Sequence, residues 1–307
     1  MSDTAASLRR KIASAGDLES VVRTMKAMAA SNIGQYENAV RSLDDYYRTV
    51  QLGLAACFQQ NEPRTMTPAR HRKAGAIGAV VFGSDQGLVG QFNDVMVEFV
   101  VDTLGKLPGE KTVWAVGERI QSRLADTGLL PGKDFILPNS ISAITSLVGQ
   151  ILVEIERHRE KAGIEQIYLF HNRPESGAIY TPVSQRLLPL DEEWRRDLEE
   201  IPWPTGNLPE VMNDREQTLL AMVREYLFVS LFRACAESLA SENASRLAAM
   251  QRAEKNIDEL SEDLKRSFHR LRQSGIDEEL FDVVAGFEAL KVTRKSNDYQ
   301  GKQKGSE

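Results

Sequence analysis

LASENASRLAAMQRAEKNIDELSEDLKRSFHRLRQSGIDEELFDVVAGFEAL, residues 239–290, decides the fold. The stretch has no proline, and Met250, Ala253, Ile257, Leu260, Leu264, Phe268 and Leu271 recur at nearly alternating intervals of three and four. That period keeps one apolar seam along a helix and marks a helix made to lie against another. The opposite end of the chain carries a matching seam: Ile33, Tyr36, Val40, Leu43, Tyr47, Val50, Leu54 and Cys57. The N- and C-terminal helices are therefore expected to pair as a long antiparallel coiled coil, left-handed because a heptad seam winds that way.

The first helix is expected over residues 1–60, since proline is absent there and a glycine such as Gly34 costs only about 1 kcal/mol against alanine. NEPRTMTPARHRK, with two prolines, ends it. Across residues 74–190 the pattern changes to short apolar runs (AIGAVVFGS, KTVWAV, DFILP, QIYLFHN) separated by amphipathic helices near 88–104, 118–127 and 142–162. Such alternation predicts an α/β (Rossmann-like) domain with a mostly parallel sheet, made mixed by a further strand in GAIYTPVSQRLLPL. Residues 191–209 are charged and punctuated by proline, and predict a connector. The second long helix is expected over 210–290, and the polar tail KVTRKSNDYQGKQKGSE at 291–307 is expected to be disordered.

Composition narrows the function. The 307 residues are 42% apolar, enough to bury a core, and no run of about 20 apolar residues could span a bilayer. Membrane association is therefore expected only through partners. A net charge of −6 argues against nucleic-acid binding, although residues 2–30 carry five basic side chains against three acidic ones. The start MSDTAASLRRK lacks the apolar core of a signal peptide, which suggests a bacterial or archaeal protein of the cytoplasmic side. Cys57 and Cys235, in apolar helical surroundings, read as buried thiols.

Catalytic and cofactor patterns do not emerge. GSDQGLVGQFN at 83–93 sits between a strand and a helix, yet no Gly–Lys pair is followed by Ser or Thr and no G-x-G-x-x-G occurs. A tight turn is the expected role of its glycines. His71, His158, His171 and His269 have no partner at metal-ligand spacing. No catalytic, cofactor, metal or small-molecule site is expected on the chain.

Six segments together resemble a known family. KIASAGDLESVVRTMKAMAASN at 11–32, GSDQGLVGQFN at 83–93, the pair IYLFHN and TPVSQRLLPL, SENASRLAAMQRA at 241–253 and RLRQSGIDEELFDVVAGFEAL at 270–290 are similar, in order, to motifs of the gamma subunit of F-type ATP synthases. The resemblance implies the central rotor shaft, with an α/β foot domain, coupling ion flow through the membrane ring to conformational cycling of the catalytic subunits. It implies three alpha and three beta subunits, an epsilon-type subunit and the membrane c-ring as partners, and peripheral placement on the cytoplasmic face of the inner membrane. Carried over by motif, Arg23, Met25 and Lys26 would meet the acidic lever of a catalytic subunit, and Arg272 and Gln273 its catch. Leu280, Phe281, Val284, Phe287 and Leu290 would form the apolar shaft tip, seated in a sleeve.

Departures from the family pattern at Asn32, Gln86 and Asp277, and PTGNLPEV in place of a tyrosine-containing segment, point to a divergent, alternate-type member. Two other readings stay open: a coiled-coil adaptor, and a nucleotide-binding α/β enzyme with a helical arm.

Overall fold

The structure, a computed structural model, describes residues 4–59, 75–129, 131–175, 178–190, 192–207, 209–211 and 214–303. Its elements are α1 (Ala5–Gln59), β1 (Ala76–Phe82), α2 (Phe92–Gly105), β2 (Lys111–Val116), α3 (Glu118–Asp126), β3 (Pro131–Phe135), α4 (Ile141–Ala162), β4 (Ile164–Glu175), β5 (Ala178–Leu188), α5 (Glu192–Glu199) and α6 (Arg215–Gln303). Both long helices start at a side-chain cap. Thr4 Oγ1 accepts from Ser7 N at 3.2 Å, and Asp214 Oδ1 from Glu216 N at 2.9 Å, so an N–H that the helix cannot satisfy finds a partner.

The chain divides into two units, one of residues 1–24 with 251–307 and one of residues 25–250. In the first, Leu8, Ala15 and Val22 are buried at intervals of seven, with Phe268 half-buried and its ring 5.4 Å from the Arg9 guanidinium carbon. The α6 seam differs from its expected course at one place. Leu260 is exposed and Ser261 takes the inward position, because alternation of three and four between Ile257 and Leu264 can pass through either residue.

In the second unit the helices run antiparallel. Asn32 pairs with Asn243, Asp44 with Arg233 and Tyr46 with Glu225, the α6 number falling as the α1 number rises. The sheet of this unit has the order β3-β2-β1-β4-β5, parallel except for the antiparallel β4–β5 pair. Its central strand β1 is buried from Ile77 onward, as the unbroken apolar run AIGAVVF requires of a strand covered on both faces. Ile77, Ala79 and Val81 face α2 and α3. Val80 and Phe82 face the other layer, where α4 and the stretch Leu231–Ala240 of α6 pack with Tyr36 of α1.

Several boundaries move from the sequence expectation, each for a local reason. Helix α2 begins at Phe92 instead of 88 because Leu88 and Gly90 adopt φ of 62° and 59°, which an α-helix cannot contain. The third strand stops at Phe135, the first residue of FILP, because the Asp85 carboxylate takes the N–H of Leu137 at 3.1 Å and draws the chain off the sheet. The 191–209 connector contains α5, and its Leu198 and Trp194 join Val50, Leu54 and Tyr226 in a third apolar cluster. Two apolar residues four apart were masked there by flanking charges. Finally, α6 starts at Arg215 and runs through Gln303, into the tail expected to be disordered. A helix needs no apolar period to continue, and residues 291–300 hold neither glycine nor proline. Residues 304–307 lie outside the described ones.

Candidate functional site

A groove of about 430 Å³ opens in the second unit between α1, α6 and the loops that follow β1 and β3. Met25, Asn32, Gln86, Asn139, Glu242 and Arg246 are among its walls. Helix α1 brings Met25, Asn32 and Tyr36 to it at spacings of seven and four, which place them on one face. Asp85 sets the loops. Its two carboxylate oxygens accept from Glu118 N at 3.0 Å and Leu137 N at 3.1 Å, tying the β1 and β3 exits together.

The buried Glu242 holds Arg246 at 2.6 Å, one turn along α6. Burial pushes the Glu242 pKa up; the Arg246 charge and its hydrogen bond oppose that, and Asp85 reinforces it. Asn32, one of the departures from the family pattern expected from the sequence, donates to Asn243 Oδ1 at 3.3 Å and so is accommodated within the chain.

The GSDQGLVGQFN loop is held by its own side chains. Ser84 N donates to Asn93 Oδ1 at 3.0 Å, Asn93 Nδ2 donates to Ser84 Oγ at 2.8 Å, and Ser84 Oγ donates to Gln86 O at 2.9 Å. A Cβ on Gly83 would lie 2.2 Å from the Ile120 Cβ. Its glycine therefore serves close packing of α3 on β1, not the approach of a phosphate. Among the described residues no group of three or more His, Cys, Asp and Glu side chains could hold a metal ion.

The residues expected to contact partners fall into both units. Met25 and Lys26 are half-buried in the second, Met25 at the groove. Arg23, Arg272 and Gln273 belong to the first and are exposed, Arg23 paired with Glu19 at 2.5 Å one turn earlier. Leu280, Phe281, Val284 and Phe287 are also in the first unit, from 48% to 70% exposed. The side chain of Leu290 lies outside the described residues.

Sequence reasoning missed a heavily bonded, buried charged group. Glu237 of α6, buried, takes His171 Nε2 of β4 at 2.7 Å, Arg173 Nε at 3.1 Å and Arg233 Nε at 2.8 Å. Burial alone would raise its pKa, but the hydrogen bonds from His171 and Arg233 win and bring it down to about 2. Burial holds His171 below its ordinary value, against the pull of Glu237 and with the help of both arginines. A polar residue at every fourth position, Arg233, Glu237, Ser241 and Ser245, was the signal available in the sequence.

Two long helices from opposite chain ends, an α/β domain between them and an exposed apolar helix stretch define a stalk-type subunit, built to work within an assembly. A family model described as ATP synthase matches residues 4–290. The chain belongs to the ATP synthase gamma-chain family, the central-shaft subunits of F-type ATP synthases. It is 24% identical to the ATP synthase gamma chain of Desulfitobacterium hafniense over 300 residues, covering 94% of this chain and 99% of that one. With the gamma chain of Glaesserella parasuis it shares 27% over 301 residues, 92% and 98% of the two chains. Among solved structures it is similar in fold to a chain of the OSCP/F1/c-ring part of Euglena gracilis mitochondrial ATP synthase, with a TM-score of 0.63, 17% identity, and 95% and 96% of the chains covered. A chain of the central stalk/c-ring of the Tetrahymena thermophila mitochondrial enzyme gives a TM-score of 0.54 at 21% identity, over 76% and 99%.

Proposed function

We propose that this chain is the rotor shaft of its synthase and contributes no catalytic group of its own. Three alpha and three beta subunits surround the paired helices, and an epsilon-type subunit and the membrane c-ring hold the foot. The chain sits peripherally on the cytoplasmic face of the membrane. As the shaft turns, each catalytic subunit meets a different face of it. Because each face binds one open or closed state better than the other, rotation becomes a shift in the populations of nucleotide-binding states.

The observation that carries this reading is the exposed run Leu280, Phe281, Val283, Val284 and Phe287 near the end of α6. An apolar patch of this kind on a chain whose family works in an assembly marks a contact surface. Arg272 and Gln273 lie on the same helix less than three turns earlier, exposed and free of any role in the fold's core, which suits the catch contact. Met25, at the wall of a groove with Arg246 and Gln86, suits the lever contact.

Co-purification tests it. A tagged chain expressed in its native host should bring down alpha- and beta-type ATPase subunits together. Recovery without them, combined with micromolar ATP or NAD binding in a calorimetric titration, would favour the nucleotide-enzyme reading. Recovery without them and without nucleotide binding would favour the coiled-coil adaptor.

A further inference from the structure

The stretch of α6 over the sheet is fixed by directional bonds as well as by packing. Its apolar side chains Leu231, Cys235 and Leu239 lie in the core with Val80, Leu169 and Leu187. Apolar contact is non-directional, and a helix in an apolar trough can turn slightly about its axis with little loss. Hydrogen bonds lapse with a few tenths of an ångström or some tens of degrees. Each member of the four-residue stripe beside that core makes one.

Arg233 reaches Asp44 of α1 at 3.2 Å, sits over the Tyr47 ring at 5.6 Å and bonds Glu237. Glu237 holds His171 and Arg173 of β4. Ser241 Oγ donates to the backbone carbonyl of Asn172 at 3.1 Å, and Ser245 Oγ to that of Val89 at 2.6 Å. The Asn172 side chain is itself anchored, donating to Phe92 O at 3.3 Å. From Arg233 to Ser245 the stripe spans about 18 Å of helix at the standard rise. It fastens α6 to α1, to β4 and to the loop after β1.

We infer that the stripe Arg233, Glu237, Ser241 and Ser245 is a torsional key that locks the rotation of α6 to the α/β domain, so that torque passes between shaft and foot without slip. The inference rests on the shaft reading above. At a helix radius of about 5 Å, a 10° turn of α6 moves its side-chain donors by about 0.9 Å. That displacement would stretch the 2.6 Å Ser245 bond to the limit of hydrogen bonding. The key therefore confines independent rotation of α6 to about 10°, small beside the third of a turn that separates neighbouring catalytic sites. Mere adhesion would not need bonds to three separate segments.

The test uses the complex assembled with cognate alpha and beta subunits and held at its catalytic pause. A bead is attached to the foot through Val153→Cys, an exposed position on α4, the native Cys57 and Cys235 being buried. The angular variance of the bead is compared between the native stripe and the double variant Ser241→Ala/Ser245→Ala, which removes two hydroxyls without adding volume. The variance should rise about twofold, as expected when bonds that limit a local motion are removed. Arg173→Met, at a half-exposed side chain, gives a second and structurally mild variant with the same expected direction. Unchanged variance in both would overturn the key, even if thermal stability fell, because the bonds would then hold the fold without limiting rotation. Failure of the unmodified chain to assemble with alpha and beta subunits would instead remove the shaft reading, and the key with it.

Discussion

Glu237→Gln gives the most demanding check on the electrostatics. Glutamine has nearly the size of a protonated glutamate, so the change approximates forcing a proton onto the carboxylate. Holding a carboxyl with an ordinary value of 4.5 down to about 2 corresponds to about 3 kcal/mol in favour of its ionised form in the folded chain. Loss of one member of a buried ion pair is worth about 3–5 kcal/mol in general. Here the Arg173 side chain is half exposed, and water can replace part of what it loses. The expected loss is therefore about 2–3 kcal/mol at pH 7, read from urea unfolding of the full chain by far-ultraviolet circular dichroism. The sign with pH follows. A depressed carboxyl contributes stability that is complete above its unfolded value and is lost as pH falls through the folded one, so the gap between the two proteins should narrow from pH 4.5 towards 2. A difference below about 1 kcal/mol at pH 7, the worth of an ordinary neutral hydrogen bond, would refute the idea that a charged node holds α6 to β4. So would a gap that does not narrow in acid.

Three further outcomes are expected. Met25→Lys should leave ATP hydrolysis by the assembled complex largely intact while reducing ion pumping in vesicles, because a cation added at the groove wall would bind one rotary state too well; unchanged coupling would remove Met25 from the lever contact. Arg272→Ala should slow turnover about tenfold or more without impairing assembly, a charge-assisted hydrogen bond being worth about 1.5–3 kcal/mol, and a loss no greater than that from Lys265→Ala would end its assignment to the catch. Deletion of residues 291–307, beyond the 4–290 covered by the family model, should leave assembly and turnover near normal; a tenfold slower complex would make the helical extension a working element.

The long helices were legible because a seam of three and four repeats over many turns leaves few alternatives, and the strands because runs such as AIGAVVF are too short and too β-branched for helix. Legibility failed where a single tertiary contact decides the outcome. Nothing in DFILP announces that Asp85, some fifty residues earlier, will take the Leu137 N–H and end the strand. Nothing in EEWRRDLE shows that Trp194 will meet Tyr226, its indole N–H donating to the tyrosine hydroxyl at 3.2 Å. The motif residues of the site were readable as a resemblance, but their reasons were not. SENAS was readable as part of a family motif, which does not say that Ser241, Glu242, Asn243 and Ser245 are all buried and that each makes a specific polar bond.

The changing composition of α6 follows from the succession of surroundings it meets. Near its start, Leu219, Met222, Val223 and Tyr226 fill an aromatic cluster with Trp194. Over residues 231–245 alanine, serine and cysteine let its backbone settle close to the sheet, and each buried hydroxyl that bonds there finds a carbonyl. From Met250 to Phe268 the spacing becomes that of a helix pair. Between residues 276 and 287 the apolar side chains reach water instead. Fully burying a side chain such as Leu280, Phe281, Val284 or Phe287 is worth about 1.5–3 kcal/mol, so these four, between 48% and 70% exposed, withhold about 4–7 kcal/mol from the folding of the chain. That free energy is available only to association, where it must first offset the cost of immobilising the partners. A helix that needed only to fold would place polar residues there, as it does through most of residues 251–275. The apolar run at the far end is thus the part of the sequence that the fold of this chain does not explain and that the proposed contact with a partner would.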